Sequence, residues 1–188
     1  MDKLLNEGEC SSAEQMEFNN LFTDFYKSID NLTKKYSSAI IASKIPKLLK
    51  PFLVDKNFLL PELGSLEGDD YEKHEMYLSP NDSFSILLLV WPAGIYSPIH
   101  DHQTWCTFGV FEGEIEESKY VYVNSQNNLN KVRLKESVCH GKGAVTYMAS
   151  KRNIHSIHNP GKDPAISIHV YGGNYKKIGA NVDQIYNV

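Results

Sequence analysis

Cysteine is scarce in this chain. Cys10, Cys106 and Cys139 are scattered over 188 positions, and so sparse and odd a set does not make a disulfide framework. Reduced thiols in a cytoplasmic protein are the expectation. No Cys-x-x-Cys pair occurs, which argues against a thiolate zinc site. No stretch approaches the roughly 18 consecutive apolar residues of a membrane span. The first residues, 1–9, lack the apolar centre of a signal peptide. Lysine and arginine are dispersed and the net charge is −4, so neither a basic nucleic-acid surface nor an acidic tail is present. The pattern shows no internal repeat and no low-complexity segment. A protein without a nucleic-acid or membrane partner is expected; the sequence is silent on oligomeric state.

What is present suits a folded domain. The hydrophobic fraction is 41%, enough for a sizeable core at this length. Residues 1–70 read as a helical segment packed on a barrel of residues 71–188. Ser12-Ala-Glu-Gln15 has capping-box form, and Phe18, Leu21, Phe22, Phe25, Ile29 and Leu32 follow at helical steps. A second amphipathic segment runs from Ser37 to Leu49, with an interruption expected near Pro46. A loop-rich passage follows from Lys50 to Asp70. Beyond it the period changes. Ser85–Trp91, Trp105–Ile115, Tyr120–Val123, Val145–Met148 and Ala165–Tyr171 are strand-like, separated by turn residues. Many short strands at this spacing predict a mainly β sandwich or barrel.

The residues that carry chemistry lie in this second part. His100 and His102 stand one residue apart between Gly94 and Gly113. On a strand, side chains alternate, so both imidazoles face one way. A third imidazole is available in His155. Ser167, His169 and Tyr171 share one parity and predict a relay from hydroxyl to imidazole to phenol. His74, His140 and His158 are expected to be ordinary structural or surface histidines: His158 has the opposite parity to His155, and His140 falls at the start of a loop. Trp91 and Trp105 are expected to pack in the barrel, and Phe84, Phe108, Phe111 and Tyr147 to be core or pocket wall.

Gly94, His100-x-His102, position 106 and Gly113 resemble the first motif of the cupins, double-stranded jelly-roll β-barrels. His155 with Asn159 resembles the end of the second motif, although the interval from Gly143 is longer than usual. Most cupins carry a metal-binding Glu where this chain has Cys106. In that respect, and in its Ser-x-His-x-Tyr strand, the chain is similar to the thiol dioxygenases, meaning cysteine dioxygenase and bacterial 3-mercaptopropionate dioxygenase. The resemblance implies a cupin barrel with N-terminal α-helices and Fe(II) held by His100, His102 and His155. It implies catalytic roles for Tyr171, His169, Ser167 and Cys106. It places Tyr71 and Lys73 at the substrate carboxylate, with Arg152 in reserve. A small thiol and O2 are the implied substrates, and a sulfinic acid the product.

The residues agree with that chemistry. Three neutral imidazoles leave the full charge of a divalent ion uncompensated, and an incoming thiolate balances it, since a metal deprotonates a coordinating thiol. Cys106 has two readings: a thioether partner of Tyr171, as in some cysteine dioxygenases, or a small buried thiol filling the space of the absent Glu. A non-enzymatic metal- or ligand-binding cupin, and a metallo-cupin of another activity, are the competing functions.

Overall fold

The computed structural model describes residues 12–54, 68–123, 131–149, 153–178 and 182–188, with the backbone alone at 12–19. Cys10, Arg152 and the side chains of the Ser12–Gln15 capping box and of Phe18 lie outside the described residues. Two helices, α1 (Ser12–Lys35) and α2 (Ser38–Val54), precede ten strands: β1 (Glu72–Leu78), β2 (Phe84–Trp91), β3 (His100–His102), β4 (Cys106–Glu112), β5 (Glu114–Tyr122), β6 (Val132–Gly141), β7 (Val145–Met148), β8 (Ile154–His158), β9 (Ala165–Gly172) and β10 (Val182–Ile185).

The strands form two antiparallel five-stranded sheets, ordered β1-β2-β9-β4-β7 and β10-β3-β8-β5-β6. This is the mainly β, cupin-type architecture with N-terminal helices that the sequence predicts. β2 is buried along its whole length because both of its faces are covered. Phe84, Ile86, Leu88 and Val90 face a cluster shared with the helices, and Leu87, Leu89 and Trp91 face a second cluster inside the barrel. The neighbouring β9 divides in the same way. Ile166, Ile168 and Val170 join the helix-side cluster, while Ala165 and Tyr171 join the inner one. Ser167, His169 and Tyr171 therefore stand together on the inner face through period-two alternation.

α2 continues through Pro46 and Pro51 to Val54; the expected interruption at Pro46 and the loop from Lys50 do not occur at those residues. Pro46 removes the N–H that would bond the carbonyl of Ala42. That carbonyl instead accepts the hydroxyl of Thr107 from β4, at 3.3 Å. The helix lies close on the sheet at this point: a Cβ on Gly109 would collide with the Leu53 side chain. Burial of Ile41, Ile45, Leu49, Phe52 and Leu53 against the sheet outweighs the loss of the two helix hydrogen bonds that Pro46 and Pro51 cannot donate. α1 adds Phe25 and Ile29 to the cluster, with Phe25 and Phe52 4.7 Å apart between ring centroids.

Other expectations are corrected. Trp105–Ile115 is divided at Glu112-Gly113, one of the turns the sequence marks, into the hairpin of β4 and β5, with Gly113 at a φ of 75°. Tyr147 is an exposed surface residue, not core. Trp105 packs in the helix-side cluster, outside the barrel interior where Trp91 lies. His140 belongs to β6 and not to a loop.

Candidate metal centre and pocket

His100 and His102 sit on β3, and His100 pairs in register with His155 on β8. All three are buried, and one ligand nitrogen from each lies within 4.8 Å of the others. The Nε2 atoms of His102 and His155 are 3.0 Å apart. Two nitrogens bonded at about 2.1 Å to one ion at a right angle are separated by about 3.0 Å, so the pair fits a metal of ordinary bond length. The outer nitrogens fix the tautomers. His100 Nδ1–H donates to the Pro98 carbonyl at 2.8 Å. His155 Nδ1–H donates to Glu117 Oε1 at 3.0 Å. In both rings the Nε2 lone pair is thereby left for a metal. Burial, then the neighbouring His155, pushes the His100 imidazole down to about 3, so it is neutral at physiological pH, as a ligand must be.

A continuous hydrogen-bond line runs from Trp91 along the inner face of β9. The Trp91 indole donates to Ser167 Oγ at 2.9 Å, and an indole N–H can only donate. Ser167 Oγ lies 2.8 Å from His169 Nε2, and His169 Nδ1 lies 3.0 Å from the Tyr171 hydroxyl. Burial holds His169 down at about 3, so one ring nitrogen carries a proton and the other does not. With Ser167 donating to Nε2, Nδ1–H donates to the Tyr171 oxygen. The phenolic proton is then left for another acceptor. Burial raises the Tyr171 phenol well above its usual range and keeps it protonated.

Cys106 hydrogen-bonds with the Tyr171 hydroxyl, and burial followed by the charge of Glu117 raises its thiol. The two residues are register partners across β4 and β9. His100 and His102 lie on β3, whereas Cys106 opens β4. The chain crosses from one sheet to the other between β3 and β4, and Cys106 reaches the inner face from the opposite wall.

Tyr71, Lys73, Trp91, His169 and Tyr171 line the same pocket as the three histidines; Ser167 and Cys106 lie behind its wall. Tyr71 stacks on Trp91 with ring centroids 4.5 Å apart. The Lys73 ammonium lies 5.0 Å from the Tyr71 ring centroid. Burial lowers its pKa, with Asp70 opposing, and among the described residues no carboxylate reaches it within ion-pair distance. His158 turns away and stacks on Tyr96 with ring centroids 3.7 Å apart. His74 bonds Glu72 at 3.1 Å. Both take the structural roles expected of them.

Two features escaped the sequence reading. Glu117 is fully buried and joins His155 to His140, whose Nε2 lies 3.2 Å from Oε2. Its signal was parity: Glu117 alternates with the buried Ile115. The second is β10, which pairs with the histidine strand and puts Val182 in the pocket. Asp101, between the two histidines, clamps it by accepting from Gln184 N at 3.0 Å and Tyr186 OH at 2.8 Å.

Human cysteine dioxygenase type 1 is 27% identical over 93 residues, covering 48% of this chain and 46% of the relative. The Rattus norvegicus protein of the same name is 26% identical over 97 residues, with the same coverages of 48% and 46%. The chain thus spans about half the length of the curated relatives it matches. A solved structure from Thermus thermophilus superposes with a TM-score of 0.46 at 15% identity, over 59% of this chain and 90% of the other. The family model described as cysteine dioxygenase type I matches residues 66–184. That match takes in every strand of both sheets up to β10, with the three histidines, Cys106 and the Ser167–His169–Tyr171 relay inside it, and the chain belongs to the cysteine dioxygenase type I family.

Proposed function

We propose that the protein is a non-haem Fe(II) thiol dioxygenase that oxidises a small thiol carboxylate to its sulfinic acid. The reaction adds both atoms of one O2 to the sulfur, which is oxidised as the dioxygen is reduced. The observation that carries this reading is a set of three buried imidazoles, with no carboxylate among them, sharing a pocket with the Lys73 ammonium, which has no ion-pair partner among the described residues. Iron bound there supplies a dication that deprotonates a coordinating thiol and passes electrons from sulfur to oxygen.

The chain's own residues do the rest. His100, His102 and His155 hold the ion and keep one side of it free for substrate. Lys73 attracts the substrate carboxylate, and Tyr71, braced on Trp91, walls the pocket beside it. Tyr171 presents its phenolic proton to the reacting groups, with the oxygen fixed by His169 and Ser167 behind it. The unpaired Cys106 and Cys139 fit a reducing cytoplasm. Lysine is a point charge and grips a carboxylate less rigidly than the two-pronged arginine. We favour a mercaptocarboxylate on that basis, with 3-mercaptopropionate slightly ahead of cysteine.

Oxygen uptake by the iron-loaded protein with cysteine, cysteamine and 3-mercaptopropionate tests the function. The two acids are consumed and cysteamine is a poor substrate. No thiol-dependent uptake would leave a metal- or ligand-binding cupin as the better account. Lys73→Ala raises KM for the acidic thiol by about 10- to 100-fold, the equivalent of one charge-assisted hydrogen bond. It leaves cysteamine nearly unaffected, since that thiol has no carboxylate. Equal effects on both would remove Lys73 from the substrate site.

The contact between Cys106 and Tyr171 supports a thioether between them, formed during turnover with iron, thiol and O2 as oxidant. One C–S bond replaces one S–H and one ring C–H. Intact mass after many turnovers therefore falls by about two hydrogens in part of the population. An unchanged mass in active enzyme would leave Cys106 as a packing residue.

A further inference from the structure

β5 carries a fully buried carboxylate beside an apolar neighbour of the same parity. Ile115 and Glu117 share one face, and both are fully buried. An ionised carboxylate without partners is strongly disfavoured in such a place. Glu117 has three. His155 Nδ1–H donates to Oε1 at 3.0 Å, His140 Nε2–H donates to Oε2 at 3.2 Å, and the Lys119 ammonium lies 3.6 Å from Oε2. Both oxygens are therefore committed, one towards the metal site and one away from it.

We propose that Glu117 and His140 are positioning residues of the metal centre: Glu117 fixes the ring and tautomer of His155 and lends it negative charge, and His140 holds the carboxylate in place. The proposal rests on the three-histidine site described above and deepens it. The carboxylate that is absent at Cys106 stands one residue behind the ligands. It strengthens His155 as a donor, since a histidine whose N–H faces a carboxylate is a more basic ligand. The position open to substrate stays free. His140 is the outer end of this line. Its ring meets Phe108 edge-on with centroids 5.8 Å apart, and Phe108 stacks on His169 at 5.0 Å. One phenyl ring thus braces both the carboxylate line and the tyrosine relay.

The test is Fe(II) affinity, measured anaerobically on the full chain by competition with a chromophoric chelator, alongside Co(II) absorption and the melting temperature of the metal-free protein. Glu117→Gln keeps the shape and an acceptor oxygen but removes the charge. Fe(II) affinity falls about 10- to 100-fold, as is typical for loss of a partner of a metal-bound histidine. The Co(II) bands shift with the weaker donor, and the metal-free melting temperature does not fall. His140→Gln, which retains a donor, binds Fe(II) like the wild type. His140→Leu, which has none, binds about tenfold more weakly. If Glu117→Gln fails to fold, the two His140 variants read the same contrast. Wild-type affinity and an unchanged Co(II) spectrum in Glu117→Gln, or equal affinity in the two His140 variants, would overturn the proposal. A wild type that binds iron through His155 yet consumes no oxygen with any thiol would overturn the dioxygenase reading alone. Affinity indifferent to His155→Ala would overturn both.

Discussion

His155→Ala protein, purified after iron loading, retains no iron above background, and His100→Ala and His102→Ala behave alike. Each mutation removes one of three nitrogens that converge from β3 and β8. Two imidazoles alone do not make a closed face around an ion. The loss has a second component at His155, because its removal strips Glu117 of the bond to Oε1 and leaves a buried carboxylate short of a partner. His155→Ala should therefore also be the least stable of the three. His158→Ala is the control. It stands three residues away on the same strand, but its ring is stacked on Tyr96, so iron content should match the wild type. Metal analysis of the four purified proteins decides the matter. Full occupancy in His155→Ala would dismiss the site.

Tyr171→Phe lowers turnover by about 10²- to 10³-fold, the usual cost of one positioned donor beside developing charge, with little change in iron content. The hydroxyl is the end of a hydrogen-bond line that starts at the Trp91 indole and passes through Ser167 and His169. The phenylalanine variant keeps the ring and loses only the donor, so the barrel should remain intact. His169 then has a buried N–H without an acceptor, and a modest fall in melting temperature accompanies the loss of rate. Steady-state kinetics and metal content, measured together, separate this from a ligand defect. An unchanged kcat would mean the line is only structural.

What could be read in advance depended on how strongly burial stamps its period on the residues. β2 was legible because helices cover one of its faces and the barrel the other, so it is apolar throughout. Ser167, His169 and Tyr171 were legible as a group because a strand keeps alternate residues on one face. β6 was not, since it is an edge strand exposed along most of its length, and nothing selects apolar residues there. Without such a pattern the sequence places His140 in a loop, and its bond to Glu117 has no local signal. Pro46 misled for a different reason: the carbonyl it strands is satisfied by Thr107, far away in sequence. Cys106 meets Tyr171, one of its two readings from the sequence, by crossing between sheets, which strand parity does not reveal.

The most direct test of the central claim is the isotopic composition of the product. Iron-loaded protein is supplied with 3-mercaptopropionate, and separately cysteine, under ¹⁸O2, and the products are analysed by mass spectrometry. A sulfinate carrying two ¹⁸O atoms from one dioxygen molecule, with one O2 consumed per thiol, is the predicted result. A disulfide as the sole product, or a sulfinate whose oxygens come from water, would contradict it.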